Sequence, residues 1–115
     1  MSGEIHSASP DGRFVIRVSA WEARMSLWVE TPNLYDMMTN EDLLTFRNSN
    51  WSLDQAFWQA GNLVTMTMRK YPGDHTPSSV EVTVDCLART ATVAGKPAMS
   101  LTDVESALES AIRKR

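Results

Sequence analysis

Gly61-Asn62-Leu63-Val64-Thr65-Met66-Thr67-Met68-Arg69-Lys70-Tyr71-Pro72-Gly73-Asp74 is the stretch that decides the fold of this chain. Val64, Met66 and Met68 fall on one side of an extended backbone, and Thr65, Thr67 and Arg69 fall on the other. That period of two marks a strand with one buried face. Methionine fills gaps in cores, so Met66 and Met68 read as packing residues and not as ligands. Gly61-Asn62 is a two-residue link of the kind primed hairpin turns use, and it joins Leu63 to Tyr71 with an earlier arm over Gln55 to Ala60. Tyr71-Pro72-Gly73-Asp74 closes the long arm.

The same period extends outward in both directions. Val80, Val82, Val84 and Cys86 alternate with Glu81, Thr83, Asp85 and Leu87, and Ala88-Arg89 turns the chain back into Thr90 to Val93. Upstream, Ser9-Pro10-Asp11-Gly12-Arg13 opens a strand in which Phe14, Ile16, Val18 and Ala20 share a face. Trp21 to Arg24 reads as a tight connection to a second strand, Met25 to Glu30, which Thr31-Pro32-Asn33 ends because proline cannot donate to a ladder. Leu34 to Asp36 and Leu43 to Arg47 form a hairpin around Thr39-Asn40. Asn48-Ser49-Asn50 is a loop, and Ser52 to Asp54 a further turn. At the far end Thr102 and Glu105 make a capping-box signature, with Asp103 in the first turn and Arg113-Lys114-Arg115 in the last. Val104, Ala107, Leu108, Ala111 and Ile112 give that helix one apolar stripe, which must dock. The expected fold is α+β and mostly β. It is one antiparallel meander sheet of about six or seven strands, with a C-terminal helix over 102–114 packed on one face. Residues 1–115 read as a single domain whose first eight residues fray.

Composition narrows the class of protein. At 115 residues with 43% apolar and 22% charged side chains, the chain is long enough to bury its own core. One cysteine excludes an internal disulfide and argues against a cysteine-based zinc site, which fits a reducing compartment. No secretory signal opens the sequence and no apolar run is long enough to span a bilayer, so the protein is expected to be soluble and cytoplasmic, without a membrane partner. The net charge of −3 is unevenly spread. Between Glu22 and Asp54, six carboxylates against two guanidinium groups leave −4, while nine bases against eight acids elsewhere leave +1. Such a segment disfavours direct nucleic-acid binding and would steer a basic partner.

The residues that carry chemistry are few and scattered. His6 lies in the fraying end, His75 in a proline-restrained loop, and Cys86 in phase with three valines, where it reads as an inert buried thiol. No phosphate-cradling glycine loop, HExxH or GxSxG pattern is present, and no catalytic set, cofactor or metal is expected. Glu41-Asp42 is turn decoration and not an acid–base pair. Four tryptophans are notable in so short a chain. Trp21 and Trp28 each fall out of phase with their strand's aliphatic residues, so they are either aromatic anchors on an open face or core beneath a second covering. A partner-facing surface would therefore draw on Glu22, Trp28, Glu30, Asp36, Glu41, Asp42 and Asp54. Two other readings stand beside it. One is a small enzyme or ligand-binding domain that uses Asp74 and His75 beside Asp85. The other is a β module that dimerises through an exposed sheet edge.

Two resemblances bear on this. Ser9 to Arg13, Leu34-Tyr35-Asp36, Thr39 to Phe46 and Trp51 to Asp54 resemble pieces of a β-propeller blade. A propeller needs several blades of about 40 residues, so that likeness argues only for an antiparallel meander. Asp11-Gly12-Arg13, Trp51-Ser52-Leu53-Asp54, Trp58 and Arg69-Lys70-Tyr71-Pro72-Gly73 resemble small cytoplasmic immunity proteins of bacterial contact-dependent inhibition and other polymorphic toxin systems. The resemblance covers most of the chain up to about Asp85. It implies a compact, non-enzymatic acidic protein that blocks the active site or substrate groove of a cognate toxin domain, often a basic nuclease.

Overall fold

A computed structural model describes residues 4–24, 27–60, 62–71 and 75–114. The protein is mostly β with one short helix, and its strands form two main antiparallel sheets instead of one. In the first, β1 (Glu4–Ala8), β2 (Phe14–Arg24), β3 (Leu27–Asp36) and β4 (Glu41–Leu44) lie in chain order. The second contains β5 (Trp51–Trp58), β6 (Leu63–Lys70), β8 (Val80–Asp85), β9 (Thr90–Val93) and β10 (Met99–Ser100), in the order β10-β9-β8-β6-β5. β7 (His75–Thr76) pairs only with β11 (Arg113–Lys114). The single meander fails between β4 and β5, which share no ladder. Side chains make the joint instead: Ser52 Oγ accepts the Glu30 N–H at 3.0 Å, and the Ser49 carbonyl accepts Thr31 Oγ1 at 2.8 Å and Trp21 Nε1 at 3.1 Å.

Both sheets send alternate residues into one core. Phe14, Ile16, Val18, Leu34 and Leu44 meet Trp51, Leu53, Val64, Met66, Met68, Val80, Val82, Val84 and Val93 there. The alternation of Val64-Met66-Met68 and of Val80 to Cys86 is realised as expected, all seven being buried. The Ser9–Arg13 turn forms too. Gly12 takes φ +77°, the Ser9 hydroxyl accepts the Phe14 N–H at 3.1 Å, and Asp11 accepts the Arg13 N–H at 3.1 Å.

Several boundaries differ from expectation for identifiable reasons. Glu4–Ala8 does not fray but pairs with β2. Trp21 to Arg24 extends β2 instead of turning, which moves the connection to residues 25–26, outside the described residues. Pro32 does not end β3. The Glu30 N–H points away from β2 toward Ser52, so the nitrogen of Pro32, two residues on, faces the same side, where no ladder bond with β2 is lost. Ser52–Asp54 is strand and not turn. Asp54 is the extra residue of a bulge opposite Met68 and Thr67, and it shifts the inward phase from Trp51 and Leu53 to Ala56 and Trp58. β5 stops at Trp58, so Gln59 to Asn62 connects it to β6, with Gly61 outside the described residues.

The C-terminal helix is shorter than 102–114. A 3₁₀ turn (Leu101–Asp103) capped by Ser100 leads into α1 (Val104–Ala111). Glu105 does not fold back on a cap, because its carboxylate accepts the N–H groups of Arg47 and Asn48 at 2.9 and 2.8 Å. Ile112 is extended, and the backbone of Arg113–Lys114 takes β7 as its partner instead of a further helical turn. The apolar stripe holds: Val104 and Leu108 are fully buried, with Ala107, Ala111 and Ile112 packed against the core.

Candidate functional site

Asp36, Glu41 and Asp54, among the seven residues expected to face a partner, are tied up within the fold. Asp36 is 1% exposed and receives Nε and Nη2 of Arg13 at 3.1 and 3.0 Å, as well as the N–H groups of Met38 and Thr39. The Arg13 guanidinium, with those amides, holds its carboxyl well below the usual carboxylate range despite burial. It cannot meet a partner. Glu41 bonds Arg89 at 2.6 Å, which together with Thr39 lowers its pKa, and Asp54 bonds Arg69 at 2.6 Å. These two remain at the surface, but with their charge largely balanced. Asp42 is exposed on β4.

The tryptophans divide. Trp51 is fully buried and donates to Glu109 Oε2 at 2.8 Å, while Trp58 is half-buried and donates to Ser7 Oγ at 3.0 Å. Trp21 is phased as expected on the opposite side of β2 from Phe14, Ile16 and Val18. It is not an open anchor, since it packs edge-on against Tyr71 with ring centroids 5.8 Å apart. Trp28 is 55% exposed. As expected it lies on the opposite side of β3 from Val29, which is buried, and it shares its side with Pro32 and Leu34. The indole of Trp28 stands largely in solvent although the next residue is buried. Glu22 lies directly across the ladder from it, and Glu30 is two residues along the same side. Ile5, Met37, Met38, Phe57 and Leu87 are exposed too, and exposed apolar side chains are ordinary on a protein surface. Trp28 differs in having two carboxylates on its side of the strand pair.

Of the alternative ligand loop, the backbone of His75 and the whole of Asp85 are described. Asp74 lies outside the described residues, and His75 enters β7. Asp85 stands at the far end of β8, where it accepts the Ala88 and Leu87 N–H groups and the Asn62 side-chain amide. The Ala88 bond leads in lowering its pKa. It serves the β8–β9 turn. Burial pushes the Cys86 thiol up to about 12, which leaves almost no thiolate at neutral pH. Among the described residues no group of three or more His, Cys, Asp or Glu side chains could hold a metal, and no helix is long and apolar enough to cross a membrane.

A groove of about 560 Å³, unforeseen from the residues, lies between β4, with the segment after it, and the helical end of the chain. Leu43 and Leu101 supply apolar surface, Thr45, Thr102 and Ser106 supply hydroxyls, and Asp42, Arg47, Glu105 and Glu109 supply charge. Glu105 is committed to the Arg47 and Asn48 amides, and Glu109 to Trp51 and Lys70. Residues 42–47 and 101–109 are remote in sequence, so no local pattern marks them as one site. The chain matches no protein-family model, no curated protein and no solved structure.

Proposed function

We propose that this is a non-enzymatic immunity protein that binds a basic toxin domain through the outer half of the β2–β3 hairpin, with Trp28 as the anchor. The observation that supports this reading is an indole 55% exposed, with Glu22 and Glu30 beside it on the ladder. An aromatic ring enclosed on docking supplies affinity, and flanking carboxylates speed encounter with a cationic surface and disfavour acidic partners. Asp36 has no part in this interface. Glu41 and Asp54 contribute little, because Arg89 and Arg69 neutralise them.

The test is calorimetry with the toxin domain encoded beside this protein. Trp28→Ala should weaken binding by about 30-fold, the size of a hot-spot residue, with the fold unchanged. Association should slow as salt rises. A neighbouring toxin domain that does not bind, or one that binds Trp28→Ala as tightly as the native chain, would overturn the proposal.

A further inference from the structure

We infer that the Trp28 patch is an arginine reader: a notch beside the indole takes the guanidinium of one arginine side chain on the partner's surface. This rests on the proposed role of Trp28 as anchor for a basic partner, and it names the group that is recognised. In the β2–β3 ladder Ala20 pairs with Glu30 and Glu22 with Trp28, so these four side chains share one side of the strand pair. On that side of β3, burial falls from Pro32, which is buried, through Glu30, half-buried, to Trp28, 55% exposed. Ala20 is exposed, and its methyl group is too short to fill the space above it. The register therefore leaves a gap over Ala20, with Glu30 across the ladder and Trp28 on the diagonal.

Charge and shape select the occupant. Ser52 Oγ accepts the Glu30 N–H at 3.0 Å and so fixes the backbone of β3 at this point. Among the described residues, no hydrogen bond or ion pair reaches the Glu30 carboxylate, which leaves both of its oxygens to a ligand. The Cα atoms of Trp28 and Glu30 stand about 6.6 Å apart along the strand. A planar guanidinium can stack on an indole face at that spacing and still turn two N–H groups toward the carboxylate. An ammonium group, compact and strongly hydrated, can pair with the carboxylate but gains less from the ring.

The probe is N-acetylarginine amide, titrated into the ¹⁵N-labelled full chain, with N-acetyllysine amide and the uncharged N-acetylcitrulline amide as controls. The indole N–H of Trp28 and the amides of Ala20 and Glu30 should shift with a Kd on the order of 30 mM, the strength of one stacked and paired side chain at a surface. Lysine amide should bind about threefold more weakly, and citrulline amide should leave Trp28 unmoved. Glu30→Gln should weaken arginine binding about threefold, and Ala20→Leu, which fills the notch at an exposed position, should abolish it. Equal binding of arginine and lysine, a matching response to citrulline, or no response of Trp28 at about 100 mM probe would each overturn the inference. Those three results use the native chain and do not depend on a variant folding. A toxin domain that binds through Trp28 while the arginine probe fails would sink this inference and leave the immunity reading standing. Selective arginine binding in a chain whose neighbouring toxin domain does not bind would support the notch and sink that reading.

Discussion

Replacing Asp36 by asparagine tests whether this acid serves the fold or a partner. The substitution keeps the side chain's size and removes its charge. In the native protein the carboxylate is 1% exposed and accepts Nε and Nη2 of Arg13 at 3.1 and 3.0 Å and the Met38 N–H at 2.9 Å. The Thr39 N–H, at 3.4 Å, adds little. An asparagine oxygen can still serve the turn and Nε of Arg13, but its NH₂ group must then face Nη2, donor against donor. One charged hydrogen bond of roughly 1.5–3 kcal/mol is lost, and the bond from Nε weakens because its acceptor is no longer ionised. Arg13 retains 28% exposure and recovers part of this from water, so the net cost should fall near the bottom of the range for a broken buried pair, about 3 kcal/mol. At roughly 4 °C per kcal/mol for a chain of this size, the melting temperature should drop by about 12 °C. Urea unfolding at pH 7, followed by tryptophan fluorescence, measures the difference directly. Because the folded pKa lies below the unfolded value of about 3.9, the carboxylate's contribution is complete above about pH 5 and is lost as pH falls toward the folded value. The gap between native and variant should therefore narrow in acid. A difference under about 1 kcal/mol at pH 7, or a gap that widens in acid, refutes the reasoning.

Leu108→Ala should cost about 2–5 kcal/mol in the same assay, because this fully buried leucine holds α1 to the core. A smaller loss would mean that the helix is not a structural part of the sandwich. Ala94→Gly should stabilise the protein by about 0.5–1 kcal/mol, since Ala94 sits at φ +50° and the relief of left-handed strain exceeds the added freedom of the unfolded chain. Loss of stability in that variant would show that the alanine methyl makes a contact worth more than its strain.

Most strands were legible because their alternation is local. Val64-Met66-Met68, Val80 to Cys86, and the Ser9–Arg13 turn need no knowledge of the rest of the chain, and each forms as the residues dictate. What could not be read depends on partners distant in sequence. Pro32 continues a strand because Ser52, twenty positions on, takes the neighbouring Glu30 amide. Ser52-Leu53-Asp54 has turn-like composition, yet β6 draws it into a bulged strand. Glu105 abandons a capping box for two amides on the β4–β5 loop, and the end of the helix unwinds to pair with β7. In each case a tertiary hydrogen bond outcompetes a local signal of similar strength.

Charge shows the same limitation more sharply. The excess of acids between Glu22 and Asp54 is a property of the linear chain, and folding redistributes it. Asp36, Glu41 and Asp54 are neutralised by Arg13, Arg89 and Arg69, all drawn from outside that window. The field a partner meets is therefore not that of the window, and a surface built on all of its acids does not exist. What remains is local: Glu30 on the same side of β3 as Trp28, and Asp42 exposed beside the groove. Within a Debye length of about 8 Å at physiological salt, such small groups of charge, and not the sum over a segment, set the potential at the point of contact. For that reason, at equal net charge, reversing Glu30 should slow association with a cationic partner more than reversing Asp54, whose charge Arg69 already offsets.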